Sequence, residues 1–179
     1  MLQPSQLQDL FLIRKDIHFL NFGSFGACPR PIFEAYQRWQ YKLEEEPVQF
    51  IAIDGVGYLA AVRSALAEYI GCPDKDDLVY VTNPSFAVNM IAKNFPLEKG
   101  DEILATDIEY GACDRTWQYY CEKAGAVYRR QPIPLPIADK ASFIEAFFQG
   151  LTPKTKAIFI SHITSATGLI LPVKEICAI

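Results

Sequence analysis

The stretch EILATDIEYGACDRTWQYYCEKAGAVYRRQPI, residues 102–133, decides the fold. The apolar run at Glu102–Thr106 predicts a strand, and the amphipathic pattern at Gly111–Ala124 predicts a helix. A second extended segment follows over 126–133, and the prolines at its end exclude a central strand there. A strand, a helix and another strand in this order are typical of a βαβ unit in a parallel sheet.

The same alternation continues in both directions along the chain. Before this stretch, Leu78–Thr82 predicts a strand and Pro84–Phe95 a helix. After it, Asp139–Gly150 predicts a helix and Ala157–Ile160 a buried strand. The sequence therefore predicts an α/β fold, with a mainly parallel sheet and flanking helices.

Residues before 78 predict mostly helical structure. Two helices are indicated by apolar residues at helical spacing, one from Ile32 to Leu43 and one from Leu59 to Ile70. Gly71 is in the usual place for a residue that ends a helix. Ile17–Phe22 predicts a short strand.

Composition limits the classes of function. Half of the residues are hydrophobic, 21% are charged and the formal net charge is −4, so the sequence predicts a packed protein without a nucleic-acid partner. The first residues lack a basic region followed by an apolar stretch, and the charge-free segment 157–173 is too polar to span a membrane. We expect a cytoplasmic protein with no membrane partner. The five cysteines contain no C-x-x-C pair, so we expect buried free thiols rather than a disulfide framework or a zinc site.

Three polar stretches directly follow predicted strands: TNPSFAVN, TDIEYGACD and SHITSATG. Parallel sheets bind ligands at the carboxyl ends of their strands. In the first stretch, Asn83 is a good N-cap and Pro84 a good first helical residue. The amides of Ser85 and Phe86, with the Ser85 hydroxyl, would then form a phosphate cradle, and a plain capped helix remains the alternative.

The other two stretches add an aromatic ring and several hydroxyl groups. Tyr110 is placed to cover a planar ligand or simply to pack, and His162 to contact a ligand or to serve as a structural histidine. Thr164, Ser165 and Thr167 suit either loop caps or donors to a ligand oxygen. Together the three stretches predict a site for a planar, phosphorylated cofactor, and pyridoxal 5′-phosphate fits this description.

Three longer segments carry a family resemblance: HFLNFGSFGACPRP, GDEILATDIEYGACDRTWQYYCEKAGA and SHITSATGLILPVKEI. In this order and spacing they resemble class V aminotransferase-fold enzymes that use pyridoxal 5′-phosphate (PLP), and in particular the isopenicillin N epimerase-like branch. The resemblance covers about residues 15–179. It implies an N-terminal segment, 1–16, and an incomplete, apparently truncated PLP-transferase large domain, 17–179.

The resemblance also implies residue roles. Ser85 is expected on the cofactor phosphate, Tyr110 stacked on the pyridine ring and Ser165 near the phenolic oxygen. The implied cofactor-binding residues are Asn83, Ser85, Phe86, Tyr110, His162, Thr164 and Ser165, and the implied substrate-proximal residues are Asn21, Gly23 and Ser24.

Such enzymes also need a Schiff-base lysine, an acid on the pyridine nitrogen and an arginine for the substrate carboxylate. The resemblance places all three beyond residue 179, so we expect no catalytic residue in this chain and no activity from it in isolation. It implies the N-terminal part of an enzyme acting at the α-carbon of an amino acid or amino-acid derivative, as an epimerase, aminotransferase or C–S lyase. The complete enzyme is expected to be a homodimer.

Two alternatives remain open at this point. The first is a non-catalytic relic or a split-gene fragment that needs a partner chain. The second is an unrelated flavodoxin-like or nucleotide-binding domain, which fits the alternation of strands and helices. The sequence lacks the glycine fingerprint expected of a nucleotide site.

Overall fold

The computed structural model describes residues 4–23 and 25–179, and for residues 4 and 5 only the backbone. The chain forms two compact units, Met1–Tyr80 and Val81–Ile179. The expected division into residues 1–16 and 17–179 concerns the family domain and stays a prediction.

The first unit is built of helices: α1 (Pro4–Gln8), α2 (Arg30–Glu45), a π-helical turn (Gln49–Asp54), α3 (Gly55–Ile70) and a 3₁₀ turn (Lys75–Asp77). Both predicted amphipathic helices are therefore present as α2 and α3. Gly71 ends α3 in the left-handed conformation, with φ of 70°, and its N–H donates to carbonyls of the last helical turn. The predicted strand Ile17–Phe22 is wrong, because these residues are irregular.

An aromatic cluster joins α2, the π-helical turn and α3. The Trp39 ring centroid lies 5.9 Å from that of Phe50 and 5.0 Å from that of Tyr58. Most of the α3 surface is exposed, and Ala67 is its one buried residue. By length and composition alone, 49–70 is also the one stretch of the described chain that could cross a membrane, which is weak support for a membrane location.

The second unit contains a three-stranded parallel sheet in the order β2–β1–β3. Its elements are α4 (Pro84–Asn94), β1 (Glu102–Thr106), α5 (Gly111–Ala124), β2 (Val127–Gln131), α6 (Lys140–Phe148), β3 (Thr155–Phe159) and α7 (Val173–Ile176). Helix α5 connects β1 to β2, and α6 connects β2 to β3. The predicted fold class, a partial α/β domain with a parallel sheet, is confirmed.

Strand β1 is buried along its whole length because helices cover both faces of the sheet. Neighbouring residues of a strand point to opposite faces, so Ile103 and Leu104 belong to different apolar clusters. One cluster contains Ala92, Ile103, Trp117 and Cys121. The other contains Leu104, Ile133, Phe143, Phe147, Leu171 and Ile176.

Two predictions about strands need correction. Ala157–Ile160 was expected to be a buried strand, but β3 lies at an edge of the three-stranded sheet and Ile158 is 37% exposed. Leu78–Thr82 forms no strand in the described chain, although Leu78 has extended backbone angles. Local sequence indicated apolar extended segments in both places, but the presence of a neighbouring strand is a tertiary property.

A partly buried ion pair holds the amino-terminal end of the sheet, with the Glu102 side chain buried and the Arg129 side chain 40% exposed. The Arg129 guanidinium on β2 donates to both carboxylate oxygens of Glu102 on β1, at 2.9 and 3.1 Å. The Thr152 hydroxyl donates to the same carboxylate at 2.7 Å. The bonds from Arg129 first, and from Thr152 second, hold the pKa of the Glu102 carboxyl below its ordinary value of 4.5, against the opposing effect of burial.

We expect this ion pair to make the stability of the fold depend on acid pH. Because the pKa of Glu102 is lower in the folded chain than in the unfolded chain, the unfolded chain binds the proton first as pH falls. The contribution of Glu102 to the free energy of unfolding is therefore complete above pH 4.5, and it is lost as pH falls through the pKa of the folded state. Urea unfolding at a series of pH values should show this slope in the wild type and a smaller slope in Glu102→Gln. The exposed Glu145→Gln serves as the control. Equal slopes for wild type and Glu102→Gln would contradict the expectation.

Candidate functional site

The carboxyl end of the sheet brings together helix starts and loops that carry most of the predicted site residues. Helix α4 begins there with the TNPSF turn, α5 begins after the loop that follows β1, and a polar loop follows β3. Parallel strands end at one edge of a sheet, so these segments are the natural place for a ligand.

The start of α4 is a capped helix terminus. Asn83 has extended backbone angles and its side-chain oxygen accepts from the Phe86 amide at 2.8 Å. Pro84 is the first helical residue and has no N–H to satisfy. The Phe86 amide is therefore engaged in the helix cap, and its expected part in a phosphate cradle stays a prediction. The Ser85 amide lacks an intrahelical acceptor in this first turn, and the Ser85 hydroxyl has no partner among the described residues.

Tyr110 occupies the N-cap position of α5. Half of its side chain is exposed, as expected for a ring that covers a ligand rather than the protein core. Gly111 follows, and a Cβ placed there would come within 3.3 Å of the Arg115 guanidinium. The start of α5 thus combines an accessible aromatic ring with a nearby positive charge.

A chain of hydrogen bonds joins the first turns of α4 and α5. The Asn89 side-chain amide donates to the Ser85 carbonyl at 3.0 Å and to the Thr116 hydroxyl at 3.1 Å. The Thr116 hydroxyl donates in turn to the Ala112 carbonyl at 2.9 Å. The turn that carries Ser85 and the turn that follows Tyr110 are therefore held side by side. Neither Asn89 nor Thr116 was predicted to have a role, because both lie mid-helix, where polar residues usually face solvent.

A second polar contact joins the loops after β1 and β3. The Glu109 carboxylate accepts from the hydroxyl of Thr106, the last residue of β1, at 2.7 Å. It also accepts from the Ser161 amide at 3.2 Å and from the Ser161 hydroxyl at 2.5 Å. Glu109 directly precedes Tyr110, and Ser161 directly precedes His162. Glu109 was not among the predicted site residues, and its place shortly after a strand is the one signal in the sequence that points to it.

The loop after β3 is a small closed structure. Ile163 and Ile170 form an antiparallel bridge, and Gly168 adopts a φ of 66° between them. Thr164 is buried, its hydroxyl bonded to that of Thr167 at 2.6 Å and accepting from the Leu169 amide at 3.0 Å. Thr164 therefore shapes the loop, and its predicted contact with the cofactor stays a prediction.

The remaining predicted residues fall into two groups. His162 and Ser165 are exposed on the loop after β3. Asn21 and Gly23 lie in the first unit, where the Asn21 carbonyl accepts from the Phe25 amide at 3.1 Å, whereas Ser24 lies outside the described residues. The predicted contacts of these residues with cofactor or substrate stay predictions, as do those of the other site residues.

The cysteines do not supply a nucleophile in the first turn of α5. Cys113 is buried there, and burial, followed by the negative charge of Glu109, raises the pKa of its thiol. The thiol form therefore dominates at neutral pH. All five cysteines are free, but the prediction that they are buried holds only for Cys113 and Cys121, since Cys28 and Cys177 are exposed and Cys72 is half-buried. No metal-binding cluster occurs in the described part of the chain.

Residues 54–179 match the family described as Aminotransferase class-V. The chain belongs to the class V aminotransferase family. This match confirms the family resemblance inferred from the sequence. The chain is also 35% identical over 158 residues to isopenicillin N epimerase from Streptomyces clavuligerus, covering 88% of this chain. It spans 39% of the length of that relative.

Solved structures of the cystine C–S lyase C-DES share the class V aminotransferase fold of this chain. The complex of that lyase with its product cysteine persulfide has a TM-score of 0.79 at 29% identity, over 89% of this chain and 42% of the lyase. A mutant of it, with glycine covalently linked to its PLP cofactor, has a TM-score of 0.83 at 27% identity, over 99% of this chain and 45% of the lyase. The cofactor prediction, pyridoxal 5′-phosphate, is thereby confirmed at the level of the family.

Proposed function

We propose that this chain provides the phosphate-binding and ring-binding part of a PLP site, in an enzyme that acts at the α-carbon of an amino acid or amino-acid derivative. The observation that carries the proposal is the hydrogen-bond chain through Asn89 and Thr116, which holds the turns of Ser85 and Tyr110 together. These turns present what a phosphorylated aromatic ring requires, namely a helix start with a free hydroxyl and an accessible ring.

Each residue has a distinct task in this proposal. The Ser85 hydroxyl and amide donate to phosphate oxygens, and the α4 terminus favours their negative charge. The Tyr110 ring covers one face of the cofactor ring and excludes water from it. From the loop after β3, Ser165 would contact the phenolic oxygen of the ring, with His162 nearby. When bound, PLP acts as an electron sink that stabilises negative charge at the substrate α-carbon.

The finer aspects of function remain proposals as well. The epimerase and C–S lyase relatives support a reaction at the α-carbon of an amino acid. The family description adds transamination as a third type of reaction. A cytoplasmic homodimer and the absence of a Schiff-base lysine from residues 1–179 stay predictions.

The test is binding of pyridoxamine 5′-phosphate to the chain, measured by equilibrium dialysis. This compound has the ring and the phosphate but forms no imine with surface lysines. We expect saturable binding at one site, weakened about tenfold or more by Ser85→Ala and by Tyr110→Ala, since each removes a contact to a charged or aromatic group. Tyr119→Ala, at an exposed position of the same helix, and Ser64→Ala on α3 are matched controls that should bind as wild type does.

Two results would count against the proposal. No saturable binding by the wild-type chain would remove the cofactor site from this chain. Equal binding by wild type, Ser85→Ala and Tyr110→Ala would place the bound compound elsewhere on the molecule.

A further inference from the structure

The hydrogen bonds of Glu109 to Ser161 lie beyond the paired residues of the sheet. The last pairs along β1 are Ala105 with Phe159 of β3 and Thr106 with Gln131 of β2. Ser161 lies beyond the end of β3, yet its amide and hydroxyl both donate to the Glu109 carboxylate. The carboxylate therefore links two loops past the point where strand pairing has ended.

These contacts involve both oxygens of the carboxylate. One oxygen accepts the Thr106 hydroxyl, which is fully buried, and the other accepts the Ser161 hydroxyl. Hydrogen bonds to an ionised acceptor are shorter and stronger than those between neutral groups. A single side chain thus fixes the loop after β1 and the loop after β3 relative to the buried end of the central strand.

Each of the two loops carries a residue of the proposed site. Tyr110 is the next residue after Glu109, and His162 is the next residue after Ser161. We propose that Glu109 is a positioning residue, which sets the spacing between Tyr110 and His162 and thereby the orientation of the bound cofactor ring. This inference rests on the proposed function, because it assigns Glu109 a task in that same site.

Glu109→Gln is the informative variant. Glutamine keeps the size of the side chain and one oxygen acceptor for Thr106, but its amide nitrogen can no longer accept from the Ser161 amide or from the Ser161 hydroxyl. We expect faster hydrogen exchange at the Ser161 amide, about tenfold weaker binding of pyridoxamine 5′-phosphate, and an altered induced circular dichroism of the bound compound. Glu145→Gln, an exposed glutamate on α6, is the matched control and should change none of these.

Combination with Ser161→Ala separates positioning from general loss of structure. If Glu109 acts through Ser161, the two substitutions should not have independent effects. The fold loss of affinity in the double variant Glu109→Gln/Ser161→Ala should then be smaller than the product of the fold losses in the two single variants. Strictly multiplicative effects, or an unchanged dichroism spectrum in Glu109→Gln, would overturn the inference while leaving the proposed function intact.

Failure of the proposed function is distinguishable from failure of the inference. A wild-type chain that binds no pyridoxamine 5′-phosphate would overturn both the proposed function and the cofactor task of Glu109. Hydrogen exchange on the ligand-free chain would still show whether Glu109 joins the two loops, and unchanged exchange at Ser161 in Glu109→Gln would overturn that link as well.

Discussion

Replacing Phe147 with alanine is expected to destabilise the sheet-containing unit by about 3–5 kcal/mol, which is the usual cost of removing a buried phenylalanine. Phe147 is fully buried, and its ring stacks on that of Phe143, with centroids 6.0 Å apart. Both belong to the cluster that covers the Leu104 face of β1. The loss combines the transfer free energy of the ring with the cost of the cavity that remains.

Urea unfolding followed by circular dichroism measures this change as a lower midpoint at an unchanged slope. Phe148→Ala is the matched control, since Phe148 is the next residue of the same helix and is only partly buried. We expect its loss to be clearly smaller, because less apolar surface leaves water there on folding. Similar losses for the two variants would contradict the packing of Phe147 on α6 against the Leu104 face of β1.

Gly150→Ala is expected to cost about 1–3 kcal/mol, although alanine usually stabilises a chain relative to glycine. Gly150 is buried, and a Cβ there would lie 2.6 Å from Leu104 Cδ1 and 2.8 Å from the Gln131 side-chain oxygen. The φ of Gly150 is not positive, so alanine can adopt its backbone conformation. The loss therefore comes from crowding against the central strand and not from backbone strain.

Gly57→Ala provides a control of the opposite sign. Gly57 lies within α3, and a Cβ there would meet nothing within 4 Å. Alanine should therefore stabilise the chain by about 0.5–1 kcal/mol, through a better helix propensity and a less flexible unfolded state. A stabilising effect of Gly150→Ala would contradict the close contact between the Gly150 backbone and the Leu104 side chain.

The sequence alone was sufficient to predict where the main helices and the central strand lie. Gly111–Ala124 is found as a helix with the predicted bounds, and Glu102–Thr106 as a strand with the predicted bounds. Both have strong local signals, namely an amphipathic period ended by Gly125 and a short apolar run bounded by polar residues. The family could also be inferred, because the motifs after the strands were distinctive in order and spacing.

Only the tertiary structure decided which polar groups meet at the carboxyl end of the sheet. Glu109 and Ser161 are 52 residues apart in the chain, and Asn89 and Thr116 are 27 apart, so no local pattern could pair them. Strand pairing was undetermined for the same reason, since an apolar extended segment such as Leu78–Thr82 becomes a strand only when a neighbour supplies its hydrogen bonds.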